Sequence, residues 1–142
     1  MKTAKSFSCT LVFVVLLSLN CSDDKKIQAD QTDWKLFFNA DSMKCEVVEG
    51  DVTRYIYTGK NMQVVEYHFP ANKTFPPHTH DIHEQMGYLV KGKMGFKVGD
   101  ETKDLLPGDW YHAPMGMEHN AWTYNEPSIL VDIFSPCRED LK

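Results

Sequence analysis

An all-β fold, built as a closed barrel or a double-sheet jelly roll, is predicted by three observations. Short runs rich in Val, Ile, Tyr and Phe recur through the chain. Gly, Pro, Asn and Asp punctuate them at regular spacing, and no long helical pattern interrupts them.

The runs are Met43–Glu49, Arg54–Thr58, Met62–Phe69, Gln85–Val90, Met94–Val98, Thr102–Leu106, Asp109–Ala113, His119–Tyr124 and Ile129–Ser135. Lys91-Gly92-Lys93 splits the fourth from the fifth, and Gly99-Asp100 is a hairpin signal before the sixth. Pro107-Gly108, Pro114–Gly116 and Asn125-Glu126-Pro127 supply later turns. Ahead of them, Trp34–Asp41 reads as a short helix or an irregular cap.

The chain has 142 residues, the length of one domain. Apolar residues make up 42% and charged residues 25%, which excludes a disordered or collagen-like chain. The net charge is −5 and no basic run occurs, so nucleic acid is a poor partner.

Residues 1–20 read as a signal peptide. Lys2 and Lys5 form a positive start, and Leu11–Leu19 is apolar except for Ser18. That run is far shorter than the ~20 residues that span a bilayer. It ends at Cys21, followed by Ser22-Asp23-Asp24, which resembles a bacterial lipoprotein signal with Cys21 as the lipidated residue. Asn20 before the Cys is less usual, and a plain secretory signal is the simpler alternative. Residues 21–33 are polar and read as a flexible tether, leaving 34–142 as the folded domain. Without Lys2 and Lys5, the 15 basic residues fall to 13 against 20 acidic ones, a net charge of −7. Cys45 and Cys137 then remain, either bridged or as two buried free thiols.

Six histidines occur, at 68, 78, 80, 83, 112 and 119. His78-Thr79-His80 on a strand puts both rings on one face, because side chains alternate with a period of two. Two imidazoles on one face can share a divalent metal. His68, His83 and His112 read as surface or hydrogen-bonded residues, and Met86, Met94, Met115 and Met117 as core or rim.

The order of these residues resembles the cupin family. His78-x-His80, four residues, Gln85, six residues and Gly92 fit its first motif. Gly108, Pro114, Gly116 and His119 fit its second. Asn72 stands where the first motif begins with Gly, and Thr123 where the second ends with Asn. The resemblance implies a single double-stranded β-helix barrel holding one divalent ion, with Ni, Zn, Fe or Mn as candidates. Spacing to Gly92 selects Gln85 over Glu84 as the third ligand, Glu84 facing away. His78, His80, Gln85 and His119 are then four neutral ligands that leave a divalent charge undiminished. A cupin that has lost its metal, with these histidines only hydrogen-bonding, is the alternative.

From Trp34 to Leu141, and above all in Val131–Asp140, the chain is similar to the small cupins of the pectin-degradation (KdgF) family. That resemblance implies linearisation of 4,5-unsaturated monouronates left by lyases acting on pectin, alginate or ulvan. It carries over Asp132 as proton shuttle, Arg138 as carboxylate clamp and Phe134 as ring platform. The residues allow simpler readings too. Asp132 on an apolar strand could pair with Arg138, Arg138 could be a solvated terminal charge, and Phe134 could be core. Trp110, Tyr111 and Trp122 suit sugar faces or core equally.

Two other functions compete. A metal-dependent dioxygenase would use three His, or two His and a carboxylate, and Gln85 argues against it. A lipid-anchored, non-catalytic sugar-binding module fits the anchor, since the resembled family is expected inside cells. The expected location is a bacterial membrane, outer and facing the periplasm or the surface. The resemblance to cupins, which often dimerise through their sheets, allows a homodimer, and the sequence does not fix the oligomer.

Overall fold

The computed structural model describes residues 35–48 and 50–142. The expected signal peptide, the lipidated Cys21 and the tether lie outside the described residues.

The described residues form ten antiparallel strands and two 3-10 turns. The strands are β1 (Lys44–Val48), β2 (Val52–Thr58), β3 (Gln63–Phe69), β4 (Thr74–His78) and β5 (Glu84–Lys91). They continue with β6 (Met94–Val98), β7 (Glu101–Leu105), β8 (Trp110–Ala113), β9 (His119–Thr123) and β10 (Ser128–Ser135). One sheet has the order β1-β2-β3-β10-β5-β8 and the other β4-β9-β6-β7. Two facing antiparallel sheets with long crossovers are the jelly roll that the strand pattern predicts.

Nine of the strands match the sequence expectation within about two residues at their ends. The tenth, β4, carries His78 as expected of a strand but runs back from it through Thr-Phe-Pro-Pro and stops before His80. Proline lacks a backbone donor and breaks interior strands. Here it is tolerated because β4 is the sheet edge, and its register with β9 shifts between Phe75 and His78. The expected helix or cap near residue 40 reduces to a single 3-10 turn, Ala40–Ser42.

Period-two burial sorts the side chains. On β10, Ser128, Leu130, Asp132 and Phe134 point inward and Ile129, Val131 and Ile133 lie half-buried outside. Val52, Phe69, Leu89, Met94, Phe96, Leu105 and Leu130 fill the space between the sheets. A smaller cluster of Ile56, Val65, Phe134 and Leu141 closes one end. Leu141 enters it from the 3-10 turn Glu139–Leu141, which anchors the C-terminus against the barrel. The two cysteines do not bridge. Cys45 is exposed on β1, whereas Cys137 is buried with its thiol 3.3 Å from the Gly59 carbonyl.

Candidate functional site

The barrel encloses a cavity of about 440 Å³. His78, Gln85, Tyr111, His119, Asp132, Phe134 and Arg138 all line it.

His78 ends β4 and faces His119, the first residue of β9, in register. His80 lies past the end of β4 rather than on it, so the expected two-on-one-strand arrangement is replaced by a strand end and a loop. Gly116 donates its backbone N–H to the His80 carbonyl at 2.9 Å and holds that loop in place. Ring centroids are 4.3 Å apart for His78 and His119, 5.0 Å for His78 and His80, and 5.2 Å for His80 and His119. One nitrogen from each of the three comes within 4.8 Å of the other two.

The protonation pattern of these rings suits a cation. The Pro76 and Met117 carbonyls accept from Nδ1 of His78 and His119, each at 3.0 Å, which leaves Nε2 of both rings bare. His119 Nε2 then faces the Gln85 carboxamide oxygen at 3.2 Å, two acceptors with no proton between them. His80 Nε2 is buried without a hydrogen-bond partner. An orphaned buried nitrogen costs ~1–3 kcal/mol unless something binds it. Burial lowers the pKa of His80 to about 4, helped by the charges of Arg138, His78 and His119. Burial also lowers that of His119. Neutral imidazoles are the metal-binding form. The residues present therefore fit a divalent ion, with Gln85 offering oxygen as a fourth donor.

Gln85 lies on β5 with only 5% of its surface exposed, and Glu84 faces solvent beside His112, as the spacing predicted. The Gln85 amide nitrogen donates to Asp132 Oδ2 at 2.9 Å and to the Tyr111 hydroxyl at 2.5 Å. Tyr111 donates in turn to Asp132 Oδ1 at 2.7 Å. Asp132 does not pair with Arg138, the simpler reading of its position. Burial instead raises its pKa to about 7, against the opposing pull of Tyr111, Gln85 and Arg138. Burial and the adjoining Asp132 push the Tyr111 phenol well above its ordinary range.

Arg138 follows β10 and gives Nε and Nη2 to Asp140 at 3.1 and 2.7 Å. Its side chain is 19% exposed, so it is not a freely solvated terminal charge. The backbone of Arg138 is held by Gln63, whose side-chain oxygen accepts from its N–H at 3.2 Å. The guanidinium sits 5.0 Å from the centroid of Phe134. Phe134 is at once core and cavity wall, packing with Ile56, Val65 and Leu141 and standing edge-on to His80 at 5.8 Å.

The remaining histidines are hydrogen-bonded: His68 with Glu66, His112 with Glu84, and buried His83 with the Pro136 carbonyl. Trp110 is exposed and Trp122 packs over Gly95, so neither lines the cavity, whereas Tyr111 does. The place of Tyr111 beside Asp132 was missed. Its only sequence signal is alternation on β8, where Tyr111 and Ala113 are buried and Trp110 and His112 exposed.

A Cupin domain family profile matches residues 65–134. The chain is 31% identical to the pectin degradation protein KdgF of Dickeya dadantii, over 78% of this chain and 92% of that one. The structure of KdgF from Halomonas sp. superposes with a TM-score of 0.71 at 30% identity, covering 77% of this chain and all of that one. An RmlC-like cupin from Shewanella frigidimarina superposes with a TM-score of 0.70 at 27% identity, over 77% of this chain and 97% of that one.

Proposed function

The chain belongs to the cupin family, beside KdgF, and from that premise we propose that it linearises 4,5-unsaturated monouronates released by polysaccharide lyases. The observation that carries this reading is Asp132. A buried carboxyl with its pKa near 7 faces the same cavity as the histidine cluster and is hydrogen-bonded to Gln85.

The substrate's C4=C5 bond is an enol ether through the ring oxygen. A proton adds at C4 and a water oxygen at C5. The resulting hemiketal opens to a linear 5-keto acid. Asp132 is suited to this because a group with its pKa near neutrality both gives and accepts a proton at working pH. Arg138 retains N–H groups beyond the two given to Asp140, and these take the uronate carboxylate. Phe134 offers its ring to the sugar face. His78, His80 and His119, with Gln85 as a fourth donor, would hold a divalent ion, which would supply an electrophilic centre to orient and polarise an oxygen.

Pectin is the favoured parent polymer because the Dickeya relative is a pectin degradation protein, and alginate and ulvan products share the same enol ether. Cys21, at the end of the apolar run, tethers the domain to a membrane by its lipid, so the sugars are processed outside the cytoplasm.

Mixing the purified domain with a lyase digest and following the ultraviolet absorbance of the C=C bond tests the proposal. The expected result is loss of absorbance faster than the spontaneous reaction. Binding of the sugar without accelerated loss would instead make the protein a sugar-binding module. Oxygen uptake with bound iron would make it a dioxygenase.

A further inference from the structure

We infer that Tyr111, with Gly87 making room for it, is a positioning residue that locks Gln85 with its carboxamide oxygen toward His78, His80 and His119. The inference rests on the metal site proposed above and adds what aims its fourth ligand.

A glutamine amide is nearly symmetric in shape, and its oxygen and nitrogen ends exchange by a half-turn. Only the oxygen end binds a metal. The choice is made on the far side of the amide. There the nitrogen places its two hydrogens on Tyr111 Oη and Asp132 Oδ2, at 2.5 and 2.9 Å. Tyr111 has one proton, and it is given to Asp132 Oδ1 at 2.7 Å. The phenol oxygen is therefore left as an acceptor toward Gln85. With Asp132 ionised, a half-turn would aim the Gln85 oxygen at a carboxylate and at a phenol oxygen whose proton is already spent. All three side chains are buried, at 5% exposed for Gln85, 8% for Tyr111 and 4% for Asp132, so water has little access to repair the mismatch.

The fold brings the three together across strands. Gly87 on β5 pairs with Tyr111 on β8 and with Asp132 on β10, and Gln85 sits two residues away on the same face. The Tyr111 ring crosses over Gly87 to reach Asp132. A Cβ at residue 87 would lie 1.9 Å from Tyr111 Cε1 and 2.5 Å from Asp132 Oδ1. Gly87 does not have a positive φ, so space rather than backbone conformation is what requires glycine there. The other face of the ring stacks on Phe96 at 4.3 Å, a contact that phenylalanine would retain.

The test compares the full folded domain, stripped of metal, as parent, Tyr111→Phe, Gln85→Ala and the double variant. Each is titrated with Zn²⁺ by calorimetry and with Co²⁺ by visible absorption. Tyr111→Phe should weaken Zn²⁺ binding roughly 10–100-fold, the range for partners that orient metal ligands. It should also change the Co²⁺ ligand-field bands, with near-ultraviolet circular dichroism unaltered. In the Gln85→Ala background the same change should add little, because the residue it aims is gone. Parental affinity and bands in Tyr111→Phe overturn the inference, as does an undiminished effect in the Gln85→Ala background. A parent that binds neither ion overturns the metal reading itself. Should Tyr111→Phe fail to fold, the Gln85 carboxamide protons of the parent give the answer by NMR. Slow exchange with solvent is expected, and fast exchange overturns the inference.

Discussion

The Gln85 carboxamide joins the two halves of the site: its nitrogen donates to Asp132 Oδ2 at 2.9 Å while its oxygen faces His119 Nε2 at 3.2 Å. One side chain thus touches both the histidine cluster and the buried acid, so the two are mechanically coupled. Changes at either should be felt at the other.

Replacing Asp132 with Asn keeps the shape and removes the proton carrier. The linearisation rate, after subtraction of the spontaneous reaction, should fall roughly 10²–10⁴-fold. A variant that still matches the parent rules out Asp132 as the acid and base.

Asp132 also makes stability depend on pH. Its folded pKa is raised from 3.8 to about 7, so the folded state binds a proton that the unfolded state has released across that window. The stability from the protonated form is complete below about pH 4 and is lost as pH rises to 7. His80 acts in the opposite sense, its pKa being lowered from 6.5 to about 4, so its contribution is lost as pH falls. Subtracting parent from Asp132→Asn cancels the histidines. The difference in urea-unfolding free energy, measured after metal chelation, should grow from pH 4 to 7 and then level, by at most about 4 kcal/mol. A pH-independent difference would mean that Asp132 titrates normally.

Arg138→Ala should act on substrate binding more than on turnover. Loss of a charge-assisted pair is worth ~1.5–3 kcal/mol, so KM should rise roughly 10–100-fold with kcat changed far less. The side chain is 19% exposed, which favours the lower part of that range. An unchanged KM would give the carboxylate to another residue.

His80→Ala should remove most of the bound metal from protein purified without chelators, where the parent should carry near one equivalent. The reason is that His80 Nε2 is buried with no other partner. Equal metal content in the two proteins would place the ion elsewhere.

Cys21→Ala should release the protein from membranes into the soluble fraction, because Cys21 ends the apolar run of the signal. Fractionation with membranes as before would end the lipoprotein reading.

Much of this site could be read before any fold was known, for a physical reason. Side chains on a strand alternate, so period two puts Asp132 and Phe134 on one face, and the burial along β10 shows that this face, with Leu130, points inward. The same rule lets only one of Glu84 and Gln85 face the cavity, and the cupin-motif spacing to Gly92 is what pointed to Gln85. Motif spacing brought His78, His80 and His119 into one group, and they converge, although His80 does so from a loop.

Local period says which face a residue occupies and nothing about what stands across from it. The partners of Asp132 were decided by the tertiary structure, because β10, β5 and β8 are neighbours through crossovers and their register puts Gly87 between Asp132 and Tyr111. Arg138 was likewise free to meet Asp132 on sequence grounds. The final 3-10 turn, pinned by buried Leu141, sets Asp140 beside it instead. Strand β4 forms despite two prolines because an edge strand needs donors on one side only, and edge position is a property of the assembled sheet. Alternation and spacing are carried by the chain itself, so the sequence determined the fold class and which histidines would come together. Contacts between distant strands depend on register and closure of the whole barrel, so only the folded molecule decided which buried groups share their protons.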